Sequence, residues 1–430
     1  MAFPESIQVP NSGPINGSVI IPGSKSITNR AILIAALARG TSRLRGILHS
    51  DDTKYMLTTW DQLGVTFNDS AGELVINGCD GKPNPCSESL YVGNAGTAAR
   101  FLTAVLTLGQ GQYQLSGNDR MQKRPIRDLI EALNTLGAEV SDLTGSGCPP
   151  VKVVAGRLKG GKVQIPGDKS SQYISALMMT APYAEAATRI EILGDLVSRT
   201  YVELTQSVMA DFGVHCQWLN HQELEISPGQ HYQATDFAVE GDASSASYFM
   251  GMAAITHGTI KIMGVRKDSQ QGDLGLLDIL EDMGCRIIWE TDGVVVEGNP
   301  LRAVEVDMNT MSDVAPTLAV IALFAEGETR ILNVGNMRIK ECDRIEACVT
   351  ELRKLGAQVT EWENGLSITG MGKYKSAVLD TYDDHRMAMS LSLAGLIIPG
   401  VTIQNPECVT KTFPDFYERF LPLLTPEVRK

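Results

Sequence analysis

Aromatic residues are scarce in this chain: Phe, Trp and Tyr fill 6% of its 430 positions, against 43% hydrophobic residues overall. Its cores must therefore be mainly aliphatic. No apolar run approaches the ~20 residues that a bilayer demands; Ala31–Ala38 is among the longest. The eight cysteines form no Cys-x-x-Cys pair and show no metal-type spacing to histidine, which excludes a zinc ribbon and points to free thiols in a reducing compartment. A Walker A loop is absent, as is a Gly-x-Gly-x-x-Gly turn after a strand, so nothing speaks for ATP or NAD. No Gly-x-Ser-x-Gly elbow accompanies the serine-rich segments, so Ser170-Ser171 and Ser244-Ser245 read as hydroxyl donors or helix caps. Positive charge is in deficit: the formal net charge of −13 excludes nucleic acid or an anionic membrane held by bulk electrostatics. Met1 to Glu5 have neither the basic nor the apolar region of a secretion signal, and cytoplasm is the expectation. No metal and no cofactor are expected.

What is present is repetition. Ile21-Pro22-Gly23-Ser24-Lys25-Ser26 runs into an apolar stretch ending at Ala38, and Ile165-Pro166-Gly167-Asp168-Lys169-Ser170 runs into another ending at Ala181. A strand end, a glycine turn, a lysine and a helix start together suit an anion, because the helix N-terminus carries positive partial charge. Weaker relatives begin at Gly93, Gly241, Asn309 and Tyr382, so the starts step by 70, 74, 74, 68 and 73 residues from Gly23. Gly64, Gly137, Gly213, Gly284 and Gly356 form a second series, stepping by 73, 76, 71 and 72 residues, each closing a helical pattern where a left-handed C′ residue belongs. Six units of about 72 residues fill the chain.

Each unit reads as strand, loop, helix, strand, helix, glycine, strand, strand. Strands are expected at Val19–Ile21, Glu73–Ile76, Val151–Val154, Arg189–Ile192, Ile260–Met263 and Val294–Val296, and helices at Ile126–Leu136, Leu274–Met283 and Arg344–Leu355. The class is α/β with local repetition, not a TIM barrel, because a strand pair follows the second helix of each unit. A boundary is expected near Gln230–Val239.

Cations gather at the loops: Lys25 and Arg30, Arg100, Arg124, Lys340 and Arg344 around Glu341, Arg386, and Lys411. Any one of them is most often a solvated surface charge. As a set, against a negative net charge, they suit a small polyanion. Asp313 and Glu341 stand among them. Asp313 reads either as a proton acceptor or as an N-cap. His385 is expected in a structural hydrogen-bonding role, and Cys342 and Cys348 as small apolar filler. The residues alone describe a two-domain, sixfold-repeated α/β protein that handles a small phosphorylated or carboxylated substrate.

The motifs in combination resemble the 5-enolpyruvylshikimate-3-phosphate (EPSP) synthase family of enolpyruvyl transferases. They are Pro22-Gly23-Ser24-Lys25-Ser26 with Asn29-Arg30, Gly93-Asn94-Ala95-Gly96-Thr97 with Arg100, Arg124-Pro125, Gly167-Asp168-Lys169-Ser170-Ser171-Gln172, Met311-Ser312-Asp313, Arg338-Ile339-Lys340-Glu341 with Asp343-Arg344, Asp383-Asp384-His385-Arg386 and Lys411-Thr412-Phe413-Pro414. The resemblance covers essentially the whole chain. It implies an inside-out α/β barrel fold of two similar domains, each of three βαβαββ units: residues 22–238, and 1–21 with 239–430, with a cleft that closes on binding. It implies transfer of the enolpyruvyl group of phosphoenolpyruvate to the 5-hydroxyl of shikimate 3-phosphate, on the route to aromatic amino acids.

By the same resemblance Asp313, Glu341 and Lys25 are catalytic. Shikimate 3-phosphate is then held by Lys25, Ser26, Arg30, Ser170, Ser171, Gln172, Ser198, Tyr201, Asp313, Asn336 and Lys340. Phosphoenolpyruvate is held by Lys25, Gly96, Arg124, Gln172, Arg344, Arg386 and Lys411. Inhibition by glyphosate and a monomeric state go with it. Two departures stand out: Phe101, where many relatives have Pro or Leu, and Lys169, which receives no catalytic role. Two rival readings are weighed. One is the sister UDP-N-acetylglucosamine enolpyruvyl transferases, which carry a reactive cysteine on a loop where Arg120 to Arg124 here have none. The other is a non-catalytic binding protein of the same architecture.

Overall fold

In a computed structural model of the chain, residues 3–70, 72–156 and 158–424 are described. It divides into two units, Met1–Pro22 with Glu240–Lys430, and Gly23–Val239.

The Gly23–Val239 unit holds three four-stranded sheets of one design. In the third repeat, Gly161–Pro166 pairs in parallel with Thr188–Leu193, which pairs antiparallel with Glu223–Ile226, with Cys216–Asn220 antiparallel at the edge. The second repeat does the same with Ser89–Tyr91, Gln112–Ser116, Val151–Val154 and Glu139–Asp142. The first repeat uses Thr41–Arg45, Glu73–Asn77 and Thr66–Ser70, but takes its leading strand, Asp236–Ala238, from the far end of the unit.

The other unit repeats the scheme. Asn16–Ile20 leads Thr259–Met263, Gly293–Glu297 and Arg286–Glu290. Glu305–Asp307 leads Glu328–Leu332, Gly365–Thr369 and Gln358–Trp362. The sixth repeat has only Val378–Leu379 and Thr402–Gln404, and Ser6–Gln8 supplies the antiparallel strand. Two strands near the N-terminus thus close sheets whose other members follow hundreds of residues later. Five of the six expected strands lie inside these, Val19–Ile21 runs one residue past the strand Asn16–Ile20, and the βαβαββ repeat is present.

Helix composition explains the layering. The first helix of a repeat is apolar all round and lies buried: Gly96–Val105 and Ala243–Thr256 are buried at every residue, and Lys25–Leu37 from Ile27 onward. The second helix is amphipathic. Arg127–Thr135 buries only Leu129, Ile130, Ala132 and Leu133, a single stripe. The sheets lie outside the buried helices with one face wet, as the alternating burial of Thr41–Arg45 and Glu328–Leu332 shows. Gly64, Gly137, Gly213, Gly284 and Gly356 all adopt the positive φ expected where each second helix ends.

Three expectations need adjustment. The helix expected from Leu274 begins at Leu276, after a 3-10 turn Gly272–Gly275. Asp313 is not an N-cap; it lies in the 3-10 segment Asn309–Val314 and its carboxylate turns to cations. The mainly aliphatic cores also hold aromatic groups, the largest where Phe413, Phe416 and Phe420 gather against Tyr248 and Phe249, with smaller pairs at Tyr183–Tyr232 and Phe212–Phe237. Among the described residues no helix is long and apolar enough to cross a membrane.

Candidate active site

The repeated glycine owes its place to packing. A Cβ on Gly23 would meet the Gly46 carbonyl oxygen at 1.9 Å, one on Gly167 would meet the Asp195 oxygen at 2.8 Å, and one on Gly241 the Gly264 oxygen at 2.8 Å. In these three repeats the loop before the buried helix therefore rests on the loop after the second strand, and only glycine allows that approach. The helix starts that follow are capped by Ser24, Ser170, Asp242 and Asp384. These contacts fix where the first-turn side chains stand.

In the Gly23–Val239 unit, Lys25 opens its helix with Nζ 4.0 Å from the buried carboxylate of Asp52. Arg30, one turn on, is buried. Its guanidinium donates to Thr205 Oγ1 (2.7 Å), the Ser26 carbonyl (2.9 Å), Ser175 Oγ (3.3 Å) and the Tyr201 carbonyl (3.0 Å). Four of its five N–H groups thus go to protein, and Arg30 ties the helices bearing Ser26, Ser171 and Tyr201 together. Its charge is only partly compensated, and burial pulls its pKa down to about 10. Phe101 lies buried beneath it, with the guanidinium carbon 5.2 Å from the ring centroid, so this departure bears on Arg30.

Arg124 Nη1 donates to the carbonyl (3.0 Å) and side-chain oxygen (3.2 Å) of Asn94. It faces Gly96 so closely that a Cβ there would lie 2.4 Å from Arg124 Nη2. Arg100 is a fastener: it donates to the Gly96 (3.3 Å) and Pro125 (2.7 Å) carbonyls and holds the two loops together. Ser170 Oγ accepts from Gln172 N at 3.3 Å, and Gln172 Nε2 reaches Thr97 Oγ1 at 3.4 Å. Ser198 is buried in a left-handed conformation (φ 53°) ahead of the helix that carries Tyr201. Lys169 pairs instead with Asp128 at 2.9 Å, which raises its pKa.

The other unit gathers Asp313, Glu341, Arg344, Arg386, Lys340 and Lys411. Asp313 receives Arg386 Nη2 at 2.7 Å, Arg344 Nη1 at 3.2 Å and Lys340 Nζ at 3.4 Å. Glu341 receives Arg344 Nη2 at 2.8 Å, with Lys411 Nζ at 3.9 Å. Asn336 donates to Ser312 Oγ, next to Asp313, at 3.1 Å. Arg344 is 1% exposed. Burial works against its charge, but Asp384, Glu341 and Asp313 outweigh it and raise its pKa.

Sequence reasoning left Asp384 and Asp273 without a role in this cluster and read Ser244 only as a hydroxyl donor or cap. Asp384 accepts from Arg344 Nε at 2.7 Å and from Arg386 N at 2.9 Å; a carboxylate just before a helix, two residues from an arginine, is the signal that marked it. Ser244 accepts from Arg386 at 3.3 Å and donates to buried Asp273. Burial, then the charge of Asp313, pushes Asp273 up to about 6; nothing local in the sequence marks it. Burial also pushes the Cys342 thiol up, and that of Cys348 up to about 12, so both stay neutral filler. His385 is buried beside Asp384, with Nδ1 3.6 Å from its carboxylate.

Three-repeat α/β units with arginines and lysines gathered at the helix starts define the two-domain inside-out α/β class of enzymes. A sequence model of the family described as EPSP synthase (3-phosphoshikimate 1-carboxyvinyltransferase) matches residues 9–420. The chain belongs to that family. It is 48% identical over 411 residues to the 3-phosphoshikimate 1-carboxyvinyltransferase of Shewanella halifaxensis, covering 94% of this chain and 96% of the relative. It is 47% identical over 420 residues to the enzyme of that name from Photobacterium damsela subsp. piscicida, covering 96% and 98%. The solved EPSP synthase of Acinetobacter baumannii superposes with a TM-score of 0.83 at 27% identity, over 97% of this chain and 98% of that one.

Proposed function

We propose that this protein joins the 5-hydroxyl of shikimate 3-phosphate to C2 of phosphoenolpyruvate and releases phosphate through a tetrahedral intermediate. The observation that carries the residue roles is Arg344, whose two Nη atoms lie on Asp313 and Glu341, two carboxylates among four cations. Asp313 takes the hydroxyl proton, Glu341 delivers a proton to C3, and the new O–C2 bond forms. When the C2–O bond to phosphate breaks, Glu341 takes the C3 proton back. Lys25 supports the transferring group.

The electrostatics suit proton uptake by Asp313. Arg344 and Arg386 are assigned to phosphoenolpyruvate, yet both also contact Asp313. A substrate anion that competes for their N–H groups leaves Asp313 with fewer cations and makes it a stronger base. In the Gly23–Val239 unit, Arg124 and Gly96 serve phosphoenolpyruvate, Gln172 both substrates, and Ser26, Arg30, Ser170, Ser171, Ser198 and Tyr201 shikimate 3-phosphate. Asn336 and Lys340 complete the shikimate 3-phosphate set, and Lys411 the phosphoenolpyruvate set. The reading extends to inhibition by glyphosate at Gly96 and Arg124, and to a monomer acting in the cytoplasm.

The test is phosphate release from phosphoenolpyruvate with shikimate 3-phosphate, with UDP-N-acetylglucosamine, and with no acceptor. Release only with shikimate 3-phosphate is expected. Release only with the nucleotide sugar would reassign the acceptor, and release with neither would leave a binding protein.

A further inference from the structure

The helix Gly96–Val105 begins three residues after Gly93, whose φ is 52°. The helix His385–Ile397 begins three residues after Tyr382, whose φ is 54°. The same left-handed turn leads into both helices, but in the sixth repeat a tyrosine makes it, and the next residue, Asp383, also has φ 54°. Two successive L-residues in that region are strained and persist only where their surroundings hold them.

The holding is done by Glu351, which is 0% exposed and has no part in the reaction described above. Its Oε1 accepts from the Tyr382 hydroxyl at 2.6 Å. Its Oε2 accepts from Asp380 N at 2.9 Å and pairs with Lys354 Nζ at 2.8 Å. Asp380 in turn accepts from Tyr382 N at 2.8 Å, and Asn405 donates to Asp383 at 3.1 Å. Directly after this turn stands Asp384, which fixes Arg344 through Nε and Arg386 through its backbone N–H. Arg344 and Glu351 lie on one helix, Arg344–Lys354. That helix therefore grips the turn at two levels, Glu351 on Tyr382 and Asp380, and Arg344 on Asp384.

We propose that Glu351 and Tyr382 are positioning residues: the Tyr382 hydroxyl, held by Glu351, keeps the strained turn in place so that Asp384 presents Arg344 and Arg386 to phosphoenolpyruvate. The inference rests on the assignment of those arginines to that substrate. Its signature is an unusual order of variants. Y382F keeps the ring and the strain but loses the tether; Y382G loses the ring and, with the Cβ, the strain at position 382, as Gly93 shows.

The experiment measures KM for both substrates and kcat in wild type, Y382F, Y382G, E351A and the E351A/Y382F double variant, with amide hydrogen exchange at Arg386. In Y382F, KM for phosphoenolpyruvate rises about tenfold, KM for shikimate 3-phosphate stays within about twofold, and Arg386 exchanges about tenfold faster. In Y382G both KM and exchange return to within about threefold of wild type. E351A matches Y382F, and the double variant is no worse than either. Y382F with wild-type KM and exchange, or Y382G worse than Y382F, overturns the proposal, since a tyrosine that only fills space gives that second order. The exchange order is readable without turnover. Absence of wild-type phosphate release would count against the enolpyruvyl-transfer reading alone.

Discussion

The two clusters hold their cations in different ways. In the Gly23–Val239 unit, Arg30 rests on hydroxyls and carbonyls and Arg124 on the carbonyl and amide oxygens of Asn94, while Lys25 stands 4.0 Å from the Asp52 carboxylate. In the other unit, Arg344 and Arg386 rest on Asp313, Glu341 and Asp384. Neutral acceptors fix a guanidinium and leave its charge for a ligand. Carboxylates fix it, spend part of the charge, and place proton-transfer groups beside it. The first arrangement suits binding, the second chemistry.

The sharpest way to break this contrast is to neutralise the carboxylates. Asp313→Asn or Glu341→Gln should lower kcat by about 10²–10⁴, with shikimate 3-phosphate affinity within a few-fold; near-wild-type turnover would remove that residue's role. Next comes the penalty of burying an acid, with a second acid beside it. Because Asp273 has a folded pKa raised to about 6, the unfolded chain gives up this proton first. Stability is therefore lost as pH rises from about 4 toward 6, by an amount on the order of 2–3 kcal/mol. Melting curves at pH 4 and pH 7 should show Asp273→Asn gaining on wild type as pH rises, and a constant difference would refute the shift.

In the binding half, Arg124→Ala should raise KM for phosphoenolpyruvate about 10–100-fold, as expected for a charge-assisted contact, with little change in kcat. Unchanged KM would take Arg124 out of the site. Gly96→Ala forces Arg124 aside and should raise both that KM and the glyphosate inhibition constant by about tenfold or less; a normal inhibition constant would misplace the inhibitor. Smallest of all, Lys169→Ala breaks a half-exposed pair with Asp128 and should cost at most about 1 kcal/mol of stability, with both KM values unchanged.

Most of the fold was legible because a repeat announces itself through spacing. The glycines at 64, 137, 213, 284 and 356 stand at helix ends by conformational need, so their period is the period of the fold. The strand exchange was not legible in the local pattern: Val19–Ile21 reads as the opening strand of the first repeat, yet Asn16–Ile20 pairs with Thr259–Met263, and only the family resemblance set residues 1–21 with 239–430. Within the site, the cations were legible as a set opposing the net charge. Their supports were not. Arg30 reads from sequence as a ligand, and only burial shows how much of its guanidinium goes to Thr205, Ser175 and Tyr201. Asp273 and Ser244 come together across 29 residues by folding alone.

The borrowed strands also set a schedule for biosynthesis. Ser6–Gln8 and Asn16–Ile20 leave the ribosome first, but Thr259–Met263 and Thr402–Gln404, their partners, follow about 240 and 400 residues later. At ~5–20 residues per second the first wait alone lasts roughly 12–50 s. Residues 23–239 meanwhile complete all three of their sheets. A stalled nascent chain carrying residues 1–239 clear of the ribosome should resist protease within that segment while its first twenty residues are cut. From the completion of residues 23–239 until Thr259–Met263 follows, the nascent chain carries one finished unit and a leading ribbon of unsatisfied strand edges, and that ribbon is where a cell's chaperones would meet it.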